Sequence, residues 1–103
     1  MTLLWTVSLS SEATSDYDSL DNSIASLVDA ALKKLTANPE MRGYPLRGSL
    51  SGFRSLVVGK KKIRIVYRVI QNEIIVLVIA IGHRRDDEVY IRAGARVKES
   101  PEG

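Results

Sequence analysis

The 103-residue chain contains no cysteine. That absence excludes disulfide frameworks, thiolate zinc sites and cysteine nucleophiles, and it fits a cytoplasmic location. A single histidine is present, and no phosphate-cradling glycine loop, metal-ligand spacing or serine–histidine triad signature appears. The acidic cluster Asp86-Asp87-Glu88 offers three like charges with one histidine nearby, which is a poor ligand set, so no metal or cofactor is expected. Long apolar runs are missing as well. The longest, Ile74 to Ile81, falls far short of the roughly 20 residues that span a bilayer, and the N-terminus lacks a basic-then-apolar leader. A soluble, unexported protein with no membrane partner is expected, and its length suits one domain with one core.

What the chain does have is a concentrated positive charge. The formal net charge is only +3. Its distribution is uneven: residues 1–40 hold two basic and six acidic side chains, residues 41–85 hold ten and one, and residues 86–103 hold three and five. Folded onto one face, such a block is the footprint of a phosphate-binding surface; spread out, it is a solvated strand surface with a lysine turn.

The apolar pattern changes period along the chain. Leu3, Trp5, Val7 and Leu9 fall on one side against Leu4, Thr6 and Ser8 on the other, the period of a half-buried strand. Ser10 and Ser11 are candidate N-caps for a short helix through Glu12, Ala13, Tyr17 and Leu20. From Leu20, positions Ile24, Leu27, Val28, Ala31 and Leu35 form one helical stripe, with Lys33 and Lys34 in the last turn and Asn38-Pro39 as its stop. The two segments predict a helical hairpin laid against a sheet. After a Gly- and Pro-rich connection over 38–52, the period becomes two. Phe53 to Val58, Lys62 to Ile70 and Glu73 to Ile81 read as three strands of an antiparallel meander, the last apolar on both faces and therefore interior. Gly82 is the expected strand end, and Glu88 to Ile91 fits either a short edge strand or the start of a terminal helix. Residues 1–92 thus predict one α+β domain with helices on one face of the sheet, and 93–103, which lack a periodic apolar face, a partly disordered tail.

Alternation along Lys62 to Ile70 sends Arg64 and Arg68 to the same face. With Arg54 on the neighbouring strand and Gly82-His83-Arg84-Arg85 leaving the third, several cations are expected to converge at one end of the sheet, where guanidinium groups suit a phosphodiester. His83 sits at the mouth of this region. Two neighbouring arginines are expected to disfavour its protonation, which makes it a candidate general base; an ordinary strand-end hydrogen bond is the slightly better explanation. Tyr90 suits base stacking or proton donation, and also the edge of a core. Lys60, Lys61 and Lys62 form a soluble turn with a supporting electrostatic role. The chemistry within reach of such residues is metal-independent attack of an RNA 2′-hydroxyl on its own phosphate, with a base, an acid and cations to stabilise developing charge.

The ordered motifs Asn38-Pro39, Leu46-Arg47-Gly48, Leu50-Ser51-Gly52-Phe53-Arg54, Arg64-Ile65-Val66-Tyr67-Arg68, Ala80-Ile81-Gly82-His83-Arg84 and Val89-Tyr90 resemble the RelE/ParE toxin superfamily over roughly residues 3 to 92. The resemblance implies a strand, a helical hairpin and an antiparallel meander. It also implies the toxin of a type II toxin-antitoxin system. RelE-type members are messenger-RNA endonucleases acting in the ribosome, and ParE-type members poison DNA gyrase. Carried over by motif, the nuclease residues are Arg64, Arg84 and Tyr90, and a basic residue early in the preceding strand matches Arg54. A second basic residue of that pattern falls on Leu56. His83 occupies a commonly basic site. The implied reading is a RelE-like mRNA interferase that arrests growth by inhibiting translation, with Arg54, Lys60, Lys61, Lys62, Arg68 and Arg85 binding RNA phosphate. A gyrase inhibitor without nuclease activity and a non-toxic antitoxin-binding module are the alternatives. The implied partners are a cognate antitoxin, the ribosome with its mRNA, and operator DNA through the antitoxin complex.

Overall fold

A computed structural model of the chain describes residues 4–60 and 62–99. Strand β1 (Thr6–Leu9) leads into helix α1 (Ser11–Asp18). Ser10 caps that helix as its polar side chain predicts, accepting from the Ala13 N–H at 3.1 Å. Helix α2 (Asn22–Lys34) follows, and its stripe buries Val28 and Ala31, with Leu35 buried at its C-cap. Asn38 then takes a left-handed conformation ahead of Pro39, which ends the helical hairpin.

The connection that follows is more ordered than its Gly and Pro content suggests. It contains a two-residue strand β2 (Tyr44–Pro45), which pairs with β3 (Arg54–Val58). β4 (Ile63–Ile70) and β5 (Ile75–His83) complete the meander. The sheet order is β1-β5-β4-β3-β2, with β1 parallel to β5 and the other pairs antiparallel. β5 is interior, as its apolar run predicts, and it continues one residue past Gly82. Leu3, the first residue expected in β1, lies outside the described residues.

One register irregularity matters for the site. Val66 pairs with Ala80 and Tyr67 with Val78, so Ile79 is an extra residue on β5. This bulge puts Ile79 and Ala80 on the same side and resets the alternation beyond them. Gly82 therefore faces the same side as its partner Arg64, and His83 the opposite side.

Two cores result. The helical hairpin packs on one face over Ile63, Ile65, Tyr67, Val76 and Val78. The other face carries a smaller cluster of Leu50, Phe53, Val66, Ile79, Ala80, Val89 and Ala93, covered in part by helix α3 (Glu88–Glu99). Where the sequence predicts a loose tail from Ala93, the chain instead stays helical through Glu99; residues 100–103 lie outside the described residues. The reason is that α3 is held by small residues and arginines rather than by a large apolar stripe. Ala93 and Gly94 are buried, and the Arg96 guanidinium donates to Asp16 of α1 at 2.7 and 3.0 Å and to the Ile79 carbonyl at 2.8 Å. Asp16, 7% exposed, also accepts from the Ile81 N–H at 3.0 Å. Together these groups satisfy backbone atoms of β5 beyond the end of β1, where no neighbouring strand does so.

Candidate functional site

On the α3 face, Arg64 stands opposite Gly82 on β5 and Val57 on β3. It is 6% exposed. Its Nε donates to the Tyr44 hydroxyl at 3.3 Å, Tyr44 Oη lies 2.8 Å from Tyr90 Oη, and Tyr90 Oη lies 2.9 Å from Ser55 Oγ. Four elements converge here: β2 brings Tyr44, β3 Ser55, β4 Arg64 and α3 Tyr90. Gly43 makes the approach of β2 possible. Its φ is +62°, and a Cβ there would run into the Ser55 carbonyl.

The surroundings shift the two phenols in opposite directions. Burial acts to raise Tyr44, but its hydrogen bonds with Tyr90, Arg64 and Ser55 and the charge of Arg64 outweigh it, so Tyr44 lies below its ordinary value of 10.0. Tyr90 moves the other way. Burial and the neighbouring Tyr44 raise it against the lowering effect of Ser55. The arrangement thus holds a fixed cation against two phenols that touch each other.

The other residues singled out by sequence distribute unevenly. Lys62, His83, Arg84 and Arg85 line one basic depression at the end of the sheet, where the Arg84 N–H extends the ladder to the Lys62 carbonyl at 2.9 Å. Lys60 is exposed in the adjoining turn, and Lys61 lies outside the described residues. His83 stands across the sheet from Arg64, apart from the tyrosines. Arg68 shares a face with Arg64 but lies four residues further along β4, about 13 Å at the usual strand rise. Arg54 does not join the cluster. It pairs with Tyr67 on the hairpin face and donates to the carbonyls of Arg42 at 2.8 Å and Gly43 at 3.3 Å. Tyr67, whose hydroxyl donates to the Pro39 and Arg42 carbonyls, holds the same loop. The convergence expected of Arg54, Arg64 and Arg68 at one end therefore does not occur, because strand register assigns them different faces and heights.

Tyr44 and Ser55 carry no sequence signal of their own. Tyr44 reaches Tyr90 across 46 positions through a two-residue strand, and Ser55 is a lone serine in an apolar strand. On β3 the residues sharing a face with Arg64 are Ser55 and Val57, neither of them basic. Among the described residues no helix is long and apolar enough to cross a membrane.

Comparison with known proteins agrees with this architecture. The family model for the ParE toxin of the parDE type II toxin-antitoxin system matches residues 7–88. A RelE-like toxin protein of Escherichia coli is 30% identical over 87 residues, covering 84% of this chain and 90% of the relative. Among solved structures, the toxin-antitoxin complex RelBE from Mycobacterium tuberculosis matches with a TM-score of 0.69 and 28% identity over 82% of this chain and 95% of that one. A doubly substituted E. coli RelE in the free state matches with a TM-score of 0.75 and 22% identity over 90% and 97%. The chain belongs to the RelE/ParE family of toxins of type II toxin-antitoxin systems.

Proposed function

We propose that the chain is an mRNA interferase that cleaves translated mRNA in the ribosome. The 2′-hydroxyl of one nucleotide attacks the adjacent phosphorus, the bond to the 5′-oxygen breaks, and the products carry a 2′,3′-cyclic phosphate and a 5′-hydroxyl. The observation that carries this reading is the nearly buried Arg64 guanidinium donating to the Tyr44 hydroxyl, which in turn touches that of Tyr90. A preorganised cation beside proton-carrying groups is what an oxyanion forming on phosphorus requires. Tyr90 suits protonation of the leaving oxygen, and Lys62, Arg84 and Arg85 suit the flanking phosphates. His83 lies across the sheet, so the proton acceptor is sought among the hydroxyls beside Arg64.

A cognate antitoxin is the expected partner, in line with the RelE-type toxins solved in complex with theirs. The basic segment offers an acidic antitoxin segment a complementary surface, and operator DNA is reached through that complex.

Inhibition of DNA gyrase without nuclease activity is the second reading. It is favoured by the absence of a basic residue on β3 facing Arg64 and by the ParE character of the matching family model. Induced expression of the wild type and of an Arg64→Ala, Arg84→Ala variant, with mRNA 5′ ends mapped alongside growth, separates the two. New ends within translated codons, present only with the wild type, support the interferase. Growth arrest with intact mRNA overturns it and directs attention to a supercoiling assay.

A further inference from the structure

We propose that Tyr44 is the proton acceptor of the cleavage reaction and Tyr90 its donor, the two phenols exchanging one proton through the hydrogen bond that joins them. The inference rests on the interferase reading and adds to it a residue that no motif marks.

The geometry gives the two tyrosines different parts. Arg64 Nε can only donate, so Tyr44 Oη is the accepting atom in that contact. An oxygen that already accepts from a guanidinium is the one whose anion is best stabilised. Tyr44 is also 40% exposed, on an edge strand of two residues, so the residue stands at the surface where an RNA strand would bind. Tyr90 is held deeper, between Tyr44 and Ser55. Ionisable neighbours whose environments push them apart divide the acid and base roles between them, and here the lowered group is Tyr44 and the raised one Tyr90.

The step balances. Tyr44 as phenolate takes the proton of the 2′-hydroxyl while the 2′-oxygen bonds to phosphorus. The bond from phosphorus to the 5′-oxygen breaks, and that oxygen takes the Tyr90 proton. Tyr44 then returns its proton to the Tyr90 oxygen across 2.8 Å, and both residues are restored. Arg64 remains charged throughout and stabilises first the phenolate and then the phosphorane oxygens.

The test is single-turnover cleavage of a defined mRNA on programmed ribosomes by the purified full chain. Tyr44→Phe is expected to lower the cleavage rate by about 100-fold or more, with ribosome affinity unchanged. Placing 3-fluorotyrosine at position 44 keeps the shape and acidifies the phenol, so the pH at which the rate begins to rise is expected to move down. The groups facing Tyr44 from the packed elements are Arg64, Ser55 and Tyr90, and only Tyr90 among these shares its titration range; 3-fluorotyrosine at position 90 is the control, and it should not produce that same downward displacement. A purely structural Tyr44 would leave the profile in place. A wild type that cleaves while Tyr44→Phe cleaves within a factor of a few, or an unmoved profile with fluorotyrosine at 44, overturns the role of Tyr44 alone. A wild type that leaves mRNA intact overturns the interferase reading and this role with it.

Discussion

On the face covered by α1 and α2, the sheet meets the helices through Ile63, Ile65, Tyr67, Val76 and Val78, all nearly or fully buried, and the polar groups present serve the fold. Arg54 and Tyr67 there are spent on loop carbonyls. On the α3 face the apolar cluster is smaller, and at one end it gives way to Arg64, Tyr44, Tyr90 and Ser55. The same two residue types, arginine and tyrosine, thus do different things on the two sides. A hydrogen bond to a fixed carbonyl locks a side chain into structure, whereas a chain of hydroxyls ending on a guanidinium is the arrangement that the proposed proton transfer requires.

The contrast can be broken most strongly at the hairpin core. Leu35→Ala is expected to cost about 3 to 4 kcal/mol by chemical denaturation, because the side chain is fully buried in the hairpin core. On the α3 face, Arg64→Ala should lower the cleavage rate by roughly 100- to 1,000-fold in a ribosome assay, with the fold retained by circular dichroism. Next comes the clamp between α1 and α3. Burial acts to raise Asp16, but Arg96, the Ile81 N–H and Arg92 hold its carboxyl below the ordinary 3.8. The stabilisation is then full above about pH 3.8 and is lost as pH falls through the lower folded value. Asp16→Asn should cost about 2 to 3 kcal/mol at neutral pH and flatten that acid limb in urea titrations at a series of pH values. The smallest effect is expected of Arg54→Ala, about 1 to 2 kcal/mol from the lost carbonyl contacts, read as a modest fall in Tm.

Much of the fold is legible in the sequence because it rests on period. The alternation of β4, the stripe of α2 and the Ser10 cap all declare themselves locally. α3 beyond Ala93 does not, because its inward face is made of Ala93, Gly94 and Arg96 with Val97 as the one larger apolar residue, and its anchor, Asp16, is distant in sequence. The site is half legible. Arg64 and Tyr90 are carried by motifs, and alternation gives Arg64 its face. Tyr44 could not be placed without knowing that Gly43 lets β2 close on β3. The convergence of Arg54 with Arg64 is misread because alternation within one strand says nothing of its register against the next; pairing with Tyr67 puts Arg54 on the hairpin face.

The division of the two faces is tested most directly by comparing Arg54→Ala and Arg64→Ala in single-turnover cleavage on programmed ribosomes, below the melting temperature of both. Cleavage by Arg54→Ala at close to the wild-type rate, beside loss of roughly 100-fold or more in Arg64→Ala, is the expected result. Equal loss in both variants, or full activity in Arg64→Ala, would contradict a reaction surface confined to the α3 face.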